Sequence, residues 1–309
     1  MATERDFEVI IIGAGVAGLS AALFTARERL HTLLIERATF GGQIANADKV
    51  ENYPGLSDGI RGIDLAVNML DQAKRYGLQM AFTEVESLGT HRQPFIVSTS
   101  SGVYTGKAVI LACGSSLKRL GVSGELAFEG RGVSYCATCD GDMFSGQAVG
   151  VVGGGDSAMD EALYLTELAS QVTVIHHHDQ LRAARVLQER ARAHPKIAFR
   201  WDTVVEAIEG NGQVEQLRLR HVPSGETSVL PVSGVFMYVG LEPNTGFLKG
   251  VVPLDGGGHV LVNQRMETEI PGLYAAGDLR QHSARQVATS VGDGATAAFF
   301  AIQYLRTMR

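Results

Sequence analysis

The sequence is poor in cysteine, with only Cys113, Cys136 and Cys139 among its 309 residues. A small secreted scaffold held by disulfides carries more cysteines in a shorter chain, so this class of protein is excluded. In a cytosolic chain, a C-x-x-C pair such as Cys136 and Cys139 is more often redox-active or metal-binding than structural. Cys113 is too isolated to complete a zinc site convincingly. A site shared with distant histidines and an inert pair of buried thiols stay as alternatives to the redox pair that we expect.

Long apolar runs and basic runs are also missing. No apolar run approaches the ~18 residues that a membrane-spanning helix needs. The charged N-terminal stretch from Met1 to Glu8 leads directly into a strand-like run, which is not the pattern of a signal peptide. The net charge is −6, without a basic cluster suited to nucleic acid. We therefore expect a cytoplasmic protein with no transmembrane segment and no nucleic-acid partner.

Glycine, in contrast, is abundant. The chain has 37 glycines, about 12% of its residues against the usual ~7%. This excess indicates tight turns and close approach of the backbone to ligands. The length predicts two domains of roughly 150 residues each.

The first chemical motif lies near the N-terminus. A buried parallel strand is predicted over Phe7 to Ile12, and it ends in Gly13-Ala14-Gly15-Val16-Ala17-Gly18, which opens an alanine-rich helix to about Arg29. In this context G-x-G-x-x-G lets a pyrophosphate approach the helix N-terminus. The next strand, Thr32 to Ile35, is followed by Glu36, which is placed to accept hydrogen bonds from ribose hydroxyls. The sequence therefore predicts a dinucleotide site.

A second dinucleotide unit follows the cysteine pair. A strand over Ala148 to Val152 precedes Gly153-Gly154-Gly155-Asp156-Ser157-Ala158, a G-x-G-x-x-A motif that opens a helix over Met159 to Ala169. The next strand, Val172 to Ile175, leads to His176-His177-His178, where an NAD site carries a carboxylate and an NADP site uses arginines. The triplet offers neither of these groups.

The three histidines leave several interpretations open. Imidazoles are mostly neutral at pH 7 unless a phosphate raises their pKa, and Arg182 and Arg185 are close enough in sequence to help. A metal ion is a second interpretation. In a strand, however, His176 and His178 face one side and His177 the other, so the three cannot easily share one ion, and we expect no metal. A polar strand end without a ligand is the third.

Other segments carry groups suited to a flavin. The stretches Phe40 to Gln43 and Glu51 to Gly55 are rich in loop residues and amides, which can bond the edge of a flavin ring. A strand from Gly272 ends at Asp278, which could hold a ribityl hydroxyl. Val291 to Ala295 is predicted to open a terminal helix whose N-terminus faces the electron-rich edge of the ring. The alternating segment from Ala198 to Val239 predicts a small β-meander.

Taken together, these motifs resemble the low-molecular-weight thioredoxin reductase family over nearly the whole chain. The matching pieces are Gly13-x-Gly15-x-x-Gly18, Gly41-Gly42-Gln43, Glu51-Asn52-x-Pro54-Gly55, Cys136-Ala137-Thr138-Cys139-Asp140, Gly153-Gly154-Gly155-Asp156-Ser157-Ala158, Gly277-Asp278 and Arg285-Gln286. The resemblance implies an α/β fold of two dinucleotide-binding domains, three-layer ββα and Rossmann-like, with the second inserted in the first. It implies a discontinuous FAD-binding domain over 1–117 and 246–309, and a pyridine-nucleotide-type domain with the disulfide over 118–245.

The resemblance also implies cofactors and partners: FAD, then NADPH or NADH on the second domain, a thioredoxin-like protein as partner, and a homodimer. The FAD-binding residues that it implies are Gly13, Ala14, Gly15, Gly18, Glu36, Gly42, Gln43, Asn52, Val85, Ala112, Gly114, Asp278, Arg285, Gln286 and Val287. The nucleotide-binding residues that it implies are Gly153, Gly155, Asp156, Ser157, Ala158, His176 and Arg182.

The cysteine stretch receives its roles from the same resemblance. Cys139 would lie against the flavin as the charge-transfer thiolate, and Cys136 would attack the partner disulfide. Asp140 would donate and accept the proton. These roles agree with the chemistry, because a thiolate is the nucleophile in disulfide exchange and an adjacent carboxylate can act as general acid and base.

The chain departs from the family at one place. A typical NADPH-dependent member has His-Arg-Arg where this chain has His176-His177-His178, although Arg182 is kept. Loss of a charged partner to the 2′-phosphate weakens binding by ~1.5–3 kcal/mol per bond. The leading prediction is a FAD-dependent disulfide oxidoreductase that reduces thioredoxin or a thioredoxin-like protein with NAD(P)H. The alternatives are a same-fold enzyme whose electron partner is ferredoxin or a second flavin, including one that runs from dithiol to flavin, and a flavin redox sensor without turnover.

Overall fold

The computed structural model describes residues 5–308. Residues 1–4, part of the stretch predicted not to be a signal peptide, lie outside the described residues. The chain forms two compact units: the first unit runs to Ser116 and resumes at Glu242, and the second unit covers Leu117–Leu241. Asn244 explains why residues 242–245 belong with the first unit rather than the second. Its side chain donates to the Cys113 carbonyl (2.8 Å) and accepts from the Ser116 hydroxyl (2.7 Å).

The first unit is an α/β sandwich. Its strands are β1 (Asp6–Ile12), β2 (Thr32–Glu36), β3 (Gln79–Phe82), β4 (Val85–Gly89), β5 (Phe95–Thr99), β6 (Gly102–Leu111), β7 (Ser115–Leu117), β16 (Leu241–Pro243) and β17 (Leu273–Ala275), of which β7 and β16 pair with each other and contain the points where the chain changes unit. Its α-helices are α1 (Val16–Arg27), α2 (Gly62–Lys74) and α6 (Val287–Thr307). The parallel strands run in the order β3-β2-β1-β6, with β17 also beside β6.

Strand β1 explains the three layers of this unit. Its side chains alternate between the two faces of the sheet, as the two-residue period of a strand requires. Val9 and Ile11 pack on the side of the helices, where α1 contacts α2 and α6. Ile10 and Ile12 pack on the opposite side, in a cluster that includes Phe95 of β5. Because both faces are covered, β1 is a nearly continuous apolar run.

The second unit repeats this plan. Its strands are β8 (Val133–Ser134), β9 (Ala148–Val152), β10 (Gln171–Ile175), β11 (Ile197–Arg200), β12 (Thr203–Glu209), β13 (Gln216–His221), β14 (Thr227–Pro231) and β15 (Gly234–Met237). Its α-helices are α3 (Ala137–Asp140), α4 (Asp156–Leu168) and α5 (Arg185–Ala193). A parallel sheet has the order β11-β10-β9-β15-β8, and β12, β13 and β14 form an antiparallel sheet. This meander is shorter than the predicted segment Ala198 to Val239, because β11 and β15 at its two ends pair in the parallel sheet.

Alternation again divides the core of the second unit. Val149 and Val151 of β9 pack with the helix residues Met159 and Leu165. Val152 packs on the other side with Leu217 of the antiparallel sheet. The carboxyl end of β9 therefore leads into the second glycine motif between a helix layer and a β layer.

The last helix begins earlier than predicted. The glycines near Val291 to Ala295 suggest a helix start, but α6 begins at Val287 and contains them. A Cβ on Gly294 would lie 2.0 Å from the Ala17 carbonyl oxygen, so this glycine allows close packing of α6 on α1. None of the helices within residues 5–308 combines the length and apolar character needed to cross a bilayer.

Candidate active site

The cysteine pair forms the short helix α3 and its N-cap. Cys136 and Cys139 are joined in a disulfide with Cα atoms 5.3 Å apart. Cys136 has an extended backbone and caps the helix, since its Sγ accepts the backbone N–H of Cys139 (3.2 Å). Cys136 is half-buried and Cys139 is exposed. A thiolate at Cys136 would keep this N–H, and a hydrogen bond to the charged form favours that form.

Asp140 is connected to Cys136 through a serine. The Ser134 hydroxyl donates to Asp140 Oδ2 (2.7 Å) and accepts the backbone N–H of Cys136 (3.1 Å). The Thr138 hydroxyl lies 3.4 Å from Cys136 Sγ. The structure thus brings together the three predicted catalytic residues, and Ser134 and Thr138 are additions that the sequence does not single out.

Two further side chains meet the first amide of α3. The N–H of buried Ala137 donates to Glu161 Oε2 and to the Tyr238 hydroxyl oxygen, each at 3.2 Å. Burial, followed by the nearby charge of Glu161, raises the pKa of Tyr238 well above its ordinary value. Sequence reasoning misses both residues, because they are 24 and 101 positions from Ala137 and belong to no motif.

The first glycine loop has the shape that a phosphate site requires. Gly13 has φ +104°, and a Cβ there would lie 2.4 Å from the Ala112 carbonyl oxygen. A Cβ on Gly18 would lie 1.8 Å from the Gly13 carbonyl oxygen. These two glycines are therefore needed by the fold. Gly15 is different, because its nearest neighbour would be the Cα of Gly42 at 4.0 Å. The space in front of Gly15 is open, at the uncapped N-terminus of α1.

Glu36 ends β2 beside this loop. Its carboxylate accepts the N–H of Ala14 (2.9 Å) and the N–H of Ala38 (3.1 Å). The predicted ribose acceptor is thus in contact with the glycine loop.

The amide residues of the first unit lie in two groups. Gln43 donates to the Ser115 carbonyl (3.0 Å), one residue after Gly114. Asn52 donates to the Gln286 side chain (3.1 Å) although 234 positions separate them. These contacts bring each of the predicted loops near a second predicted segment.

Asp278 lies in the turn after β17. Its Oδ1 accepts from Ser283 (3.1 Å) and Ser290 (3.3 Å). Nearby, buried Asp293 accepts from Arg280 at 2.7 Å and from the Gly277 N–H at 3.2 Å. The Arg280–Asp293 pair holds the turn that presents Asp278, and the sequence does not single it out.

The remaining predicted residues of the first unit have other surroundings. Val85 begins β4 and packs against the cluster on the β side of the sheet. Arg285 has φ +55° and its guanidinium lies 3.4 Å from His259 Nε2. Val287 is the first residue of α6. None of these three residues makes a hydrogen bond to the first glycine loop.

The second glycine loop runs from β9 into α4. Asp156 begins α4 and accepts the N–H of Ala184 (2.7 Å). The Gly154 carbonyl accepts the backbone N–H groups of Arg182 (2.7 Å) and Ala183 (3.1 Å). A Cβ on Gly155 would meet nothing within 4 Å, so the helix N-terminus faces open space. The exposed Arg182 is therefore held beside the loop by its own backbone.

The three histidines gather beyond the end of β10. Ring centroids are 4.0 Å apart for His177 and His178, and 4.8 and 5.5 Å from His176 to these two. The expectation that they alternate between opposite faces of a strand is wrong, because the strand ends at Ile175 and the chain bends. Within residues 5–308 no cluster of three His, Cys, Asp or Glu is suited to a metal ion.

His176 is the buried member of the group. It is 1% exposed, and neither ring nitrogen has a hydrogen-bond partner. A Cβ on Gly154 would lie 2.5 Å from its ring, so the imidazole packs directly under the glycine loop. Burial, with smaller contributions from the charges of His177 and His178, lowers the pKa of His176. Burial also lowers the pKa of His177.

Cys113 is separate from the redox pair in character. Its Sγ donates to the Ile12 carbonyl (3.4 Å), and burial raises its pKa to about 12. A thiol with this pKa is almost entirely protonated at neutral pH and is a poor nucleophile.

Comparison with known proteins places this geometry in a family. The model of the family described as pyridine nucleotide-disulphide oxidoreductase matches residues 7–294. The chain is 44% identical to a thioredoxin reductase of Treponema pallidum (strain Nichols) over 306 residues, 99% of each chain. It is 43% identical to that of Bacillus subtilis (strain 168), covering 100% of this chain and 98% of the other.

A solved structure agrees with these relatives. The thioredoxin reductase of Lactococcus lactis, described as in the FR conformation, superposes with a TM-score of 0.95 at 39% identity, covering 97% of this chain and 99% of the other. The predicted α/β class is thereby confirmed, as is the resemblance drawn from the motifs. The chain belongs to the low-molecular-weight thioredoxin reductase family and is an oxidoreductase of the pyridine nucleotide-disulphide class.

Proposed function

We propose that this protein reduces a disulfide of thioredoxin or a thioredoxin-like protein, using FAD and electrons from NADPH or NADH. The observation that carries the proposal is the closed Cys136–Cys139 disulfide at the N-terminus of α3, with Asp140 connected to it through Ser134. The same unit also carries the second glycine loop. A structural disulfide requires neither an adjacent carboxylate nor a dinucleotide-type loop in the same unit.

The first unit fits FAD. The open space at Gly15 suits a pyrophosphate at the N-terminus of α1. Glu36 suits the adenosine ribose, because it offers carboxylate oxygens from the end of β2. Asp278 suits a hydroxyl of the ribityl chain, because it offers them from the turn after β17. When bound there, FAD would take two electrons from a nicotinamide and supply them to the disulfide. We assign FAD to the first unit, which resumes at Glu242, and the nucleotide and the disulfide to the second unit, Leu117–Leu241.

The chain itself performs the exchange. After reduction, the Cys136 thiolate attacks one sulfur of the partner disulfide, which forms a mixed disulfide and releases a partner thiolate. Cys139 then attacks the Cys136 sulfur, which restores the Cys136–Cys139 disulfide and releases the second partner thiol. Asp140 moves the protons, so that the partner gains two electrons and two protons in all. The Cys139 N–H favours the Cys136 thiolate, which supports Cys136 as the attacking sulfur.

The nucleotide site is proposed at the second glycine loop. Arg182 and the exposed His177 and His178 are the cationic or cationisable groups that the structure places beside it. Neutral imidazoles bind a 2′-phosphate weakly, whereas protonated imidazoles bind it as charged donors. We therefore infer that NADPH binding weakens as the pH rises through the histidine range and that NADH binding does not.

The test is anaerobic titration of the FAD-loaded protein with NADPH and with NADH. Bleaching of the flavin absorbance by either nucleotide, followed by reduction of thioredoxin, is the expected result. If neither nucleotide bleaches the flavin at millimolar concentration, the proposal that NADPH or NADH supplies the electrons is wrong. Ferredoxin or a second flavin is then the better candidate for the electron donor, because His176-His177-His178 provides neither a carboxylate for the ribose nor an arginine for the 2′-phosphate.

A double variant tests the phosphate contact. The double variant His177→Arg with His178→Arg should bind NADPH more tightly and lose the pH dependence of NADPH binding. NADH binding should change little. Equal effects on the two nucleotides would contradict a role of these residues in contacting the 2′-phosphate.

We also propose a cytoplasmic homodimer. The full-length similarity to thioredoxin reductases supports the assembly. The small number of cysteines supports a reducing compartment.

A further inference from the structure

The first amide of the redox helix has two acceptors. The Ala137 N–H donates to both Glu161 and Tyr238. The Tyr238 hydroxyl is also hydrogen-bonded to Glu161. Ala137 is fully buried, whereas Glu161 and Tyr238 are partly exposed, so this group of three residues lies next to Cys136 at the edge of the core. Nothing in the proposed exchange reaction uses Glu161 or Tyr238.

The position of the carboxylate has an electrostatic consequence. A backbone N–H at the start of a helix normally stabilises a thiolate at the N-cap. Here Glu161 occupies the Ala137 N–H and places a negative charge one residue from Cys136. A like charge nearby disfavours a thiolate. The phenol of Tyr238 opposes this effect, because its O–H donates to the carboxylate and draws charge away.

We propose that Glu161 and Tyr238 are positioning residues that set the reduction potential of the Cys136–Cys139 pair. Glu161 holds the first amide of α3 and disfavours the Cys136 thiolate, and Tyr238 moderates Glu161. A pair whose reduced form is less stabilised is the stronger reductant. The inference rests on the proposed use of this disulfide as the redox group.

Asp140 is a second charged group near the Cys136–Cys139 pair. Asp140 is connected to Cys136 through Ser134, and its charge also reaches Tyr238. Substitutions at Glu161 and Tyr238 leave the Asp140–Ser134 hydrogen bond in place. A change in potential is therefore assigned to the Glu161 group.

The experiment measures two properties of the FAD-loaded full chain. The disulfide–dithiol equilibrium is set by defined ratios of reduced and oxidised dithiothreitol, and the thiol pKa is taken from the pH dependence of alkylation by iodoacetamide. Glu161→Gln should favour the dithiol by about tenfold, which is a potential about 30 mV higher, and should lower the thiol pKa. Tyr238→Phe should shift both quantities in the opposite direction. Glu167→Gln is the matched control, because Glu167 is exposed and lies on α4, the helix that contains Glu161.

If the two substitutions merely loosened α3, they would not shift the reduction potential in opposite directions. The proposal is overturned if the two variants shift the potential in the same direction, or if Glu161→Gln equals Glu167→Gln. Both measurements are independent of thioredoxin turnover. Normal turnover with an unchanged potential would therefore refute this inference alone, and absent turnover in the wild type would refute the proposed function alone.

Discussion

Cys136 and Cys139 differ in what surrounds their sulfur atoms. Cys136 Sγ accepts an N–H of its own helix, and its backbone N–H is bound by Ser134. Cys139 is the exposed member of the pair. The N–H at Cys136 Sγ favours Cys136 as the sulfur that attacks the partner, which leaves Cys139 to resolve the mixed disulfide.

The division of labour predicts the behaviour of two cysteine variants. Cys136→Ser should abolish thioredoxin reduction, because the attacking sulfur is lost. Cys139→Ser should still form a mixed disulfide with thioredoxin but should not release it, which mass spectrometry of the trapped complex would detect. Persistence of thioredoxin reduction in Cys136→Ser would show that the roles are assigned wrongly.

Asp140 predicts a second effect at the same site. Asp140→Asn should slow thioredoxin reduction by about 10²–10⁴-fold, because a positioned acid–base group contributes roughly this much. Reduction of the flavin by nucleotide should stay unchanged, since that step precedes the thiol exchange. Asp142→Asn, at an exposed position two residues later, is the control and should keep full activity. Equal rates for the two variants would exclude a catalytic Asp140.

His176 predicts an effect of pH on stability. Its pKa is lowered in the folded protein, so the unfolded chain binds the proton more readily. The contribution of His176 to stability is present above the unfolded pKa of about 6.5 and is lost as the pH falls below it. Besides burial, the charges of His177, His178 and Arg182 lower this pKa, and the backbone of Gln180 opposes them. His176→Phe should therefore reduce the fall in the melting temperature between about pH 7.5 and pH 5.5.

A surface histidine provides the control for this measurement. His91 is exposed, and His91→Gln should leave the pH dependence of the wild type unchanged. A His176→Phe protein that loses as much stability on acidification as the wild type would contradict a buried neutral imidazole.

At the scale of elements, the β1–α1 turn combines two glycines that the fold needs with one that we propose to lie against the FAD pyrophosphate. Gly13 and Gly18 have no room for a Cβ, while Gly15 has open space in front of it. All three fit the same sequence motif. Only the contacts in the fold separate the glycines that the turn needs from the one with open space in front of it.

This difference predicts the outcome of one substitution. Gly15 has φ −71°, which alanine also adopts, and the nearest atom to an added Cβ would be the Gly42 Cα at 4.0 Å. The Gly15→Ala protein should therefore fold with little change in secondary structure. It should nevertheless lose most of its FAD, because the added methyl group would occupy the space proposed for the pyrophosphate. The measurement is flavin absorbance per chain after purification. Gly256→Ala, in an exposed turn with no neighbour within 4 Å, should retain FAD. Full FAD content in Gly15→Ala would contradict the assigned site.

The elements were predictable where a local pattern specifies them. Strands such as β1 and β9 are short apolar runs that end in glycine motifs, and both are found where predicted. The start of α6 was not predicted, because Gly294 serves the packing of that helix on α1, where the Ser20 hydroxyl donates to the Val291 carbonyl across 271 positions. Local sequence does not distinguish a glycine that breaks a helix from one that lets two helices approach.

At the scale of the whole molecule, the proposed homodimer makes a prediction about the first unit. Helices α1 and α6 pack against each other, and they expose Phe24 (41%) and Phe299 (53%). If these helices contribute to the dimer, Phe299→Glu should shift the protein toward the monomer mass of 33.0 kDa. Light scattering after size exclusion measures this shift. Val229→Glu, at a similarly exposed apolar position in the second unit, is the control and should stay dimeric. A wild-type monomer would contradict the proposed assembly.

The sequence by itself determined the fold class, the two dinucleotide motifs and the redox pair. These features depend on short stretches, in which an apolar strand, a glycine turn and a helix start follow one another, or on two cysteines one helical turn apart. The family resemblance follows from the same stretches and is confirmed at full length.

Only the tertiary structure decided what surrounds those motifs. It placed the His176 ring under Gly154, paired Arg280 with Asp293, and brought Glu161 and Tyr238 to the amide behind Cys136. Each of these contacts joins residues from different elements. The physical reason is that packing of helices on sheets decides which distant side chains share a buried space. A short stretch of sequence does not specify which distant residues will be its neighbours.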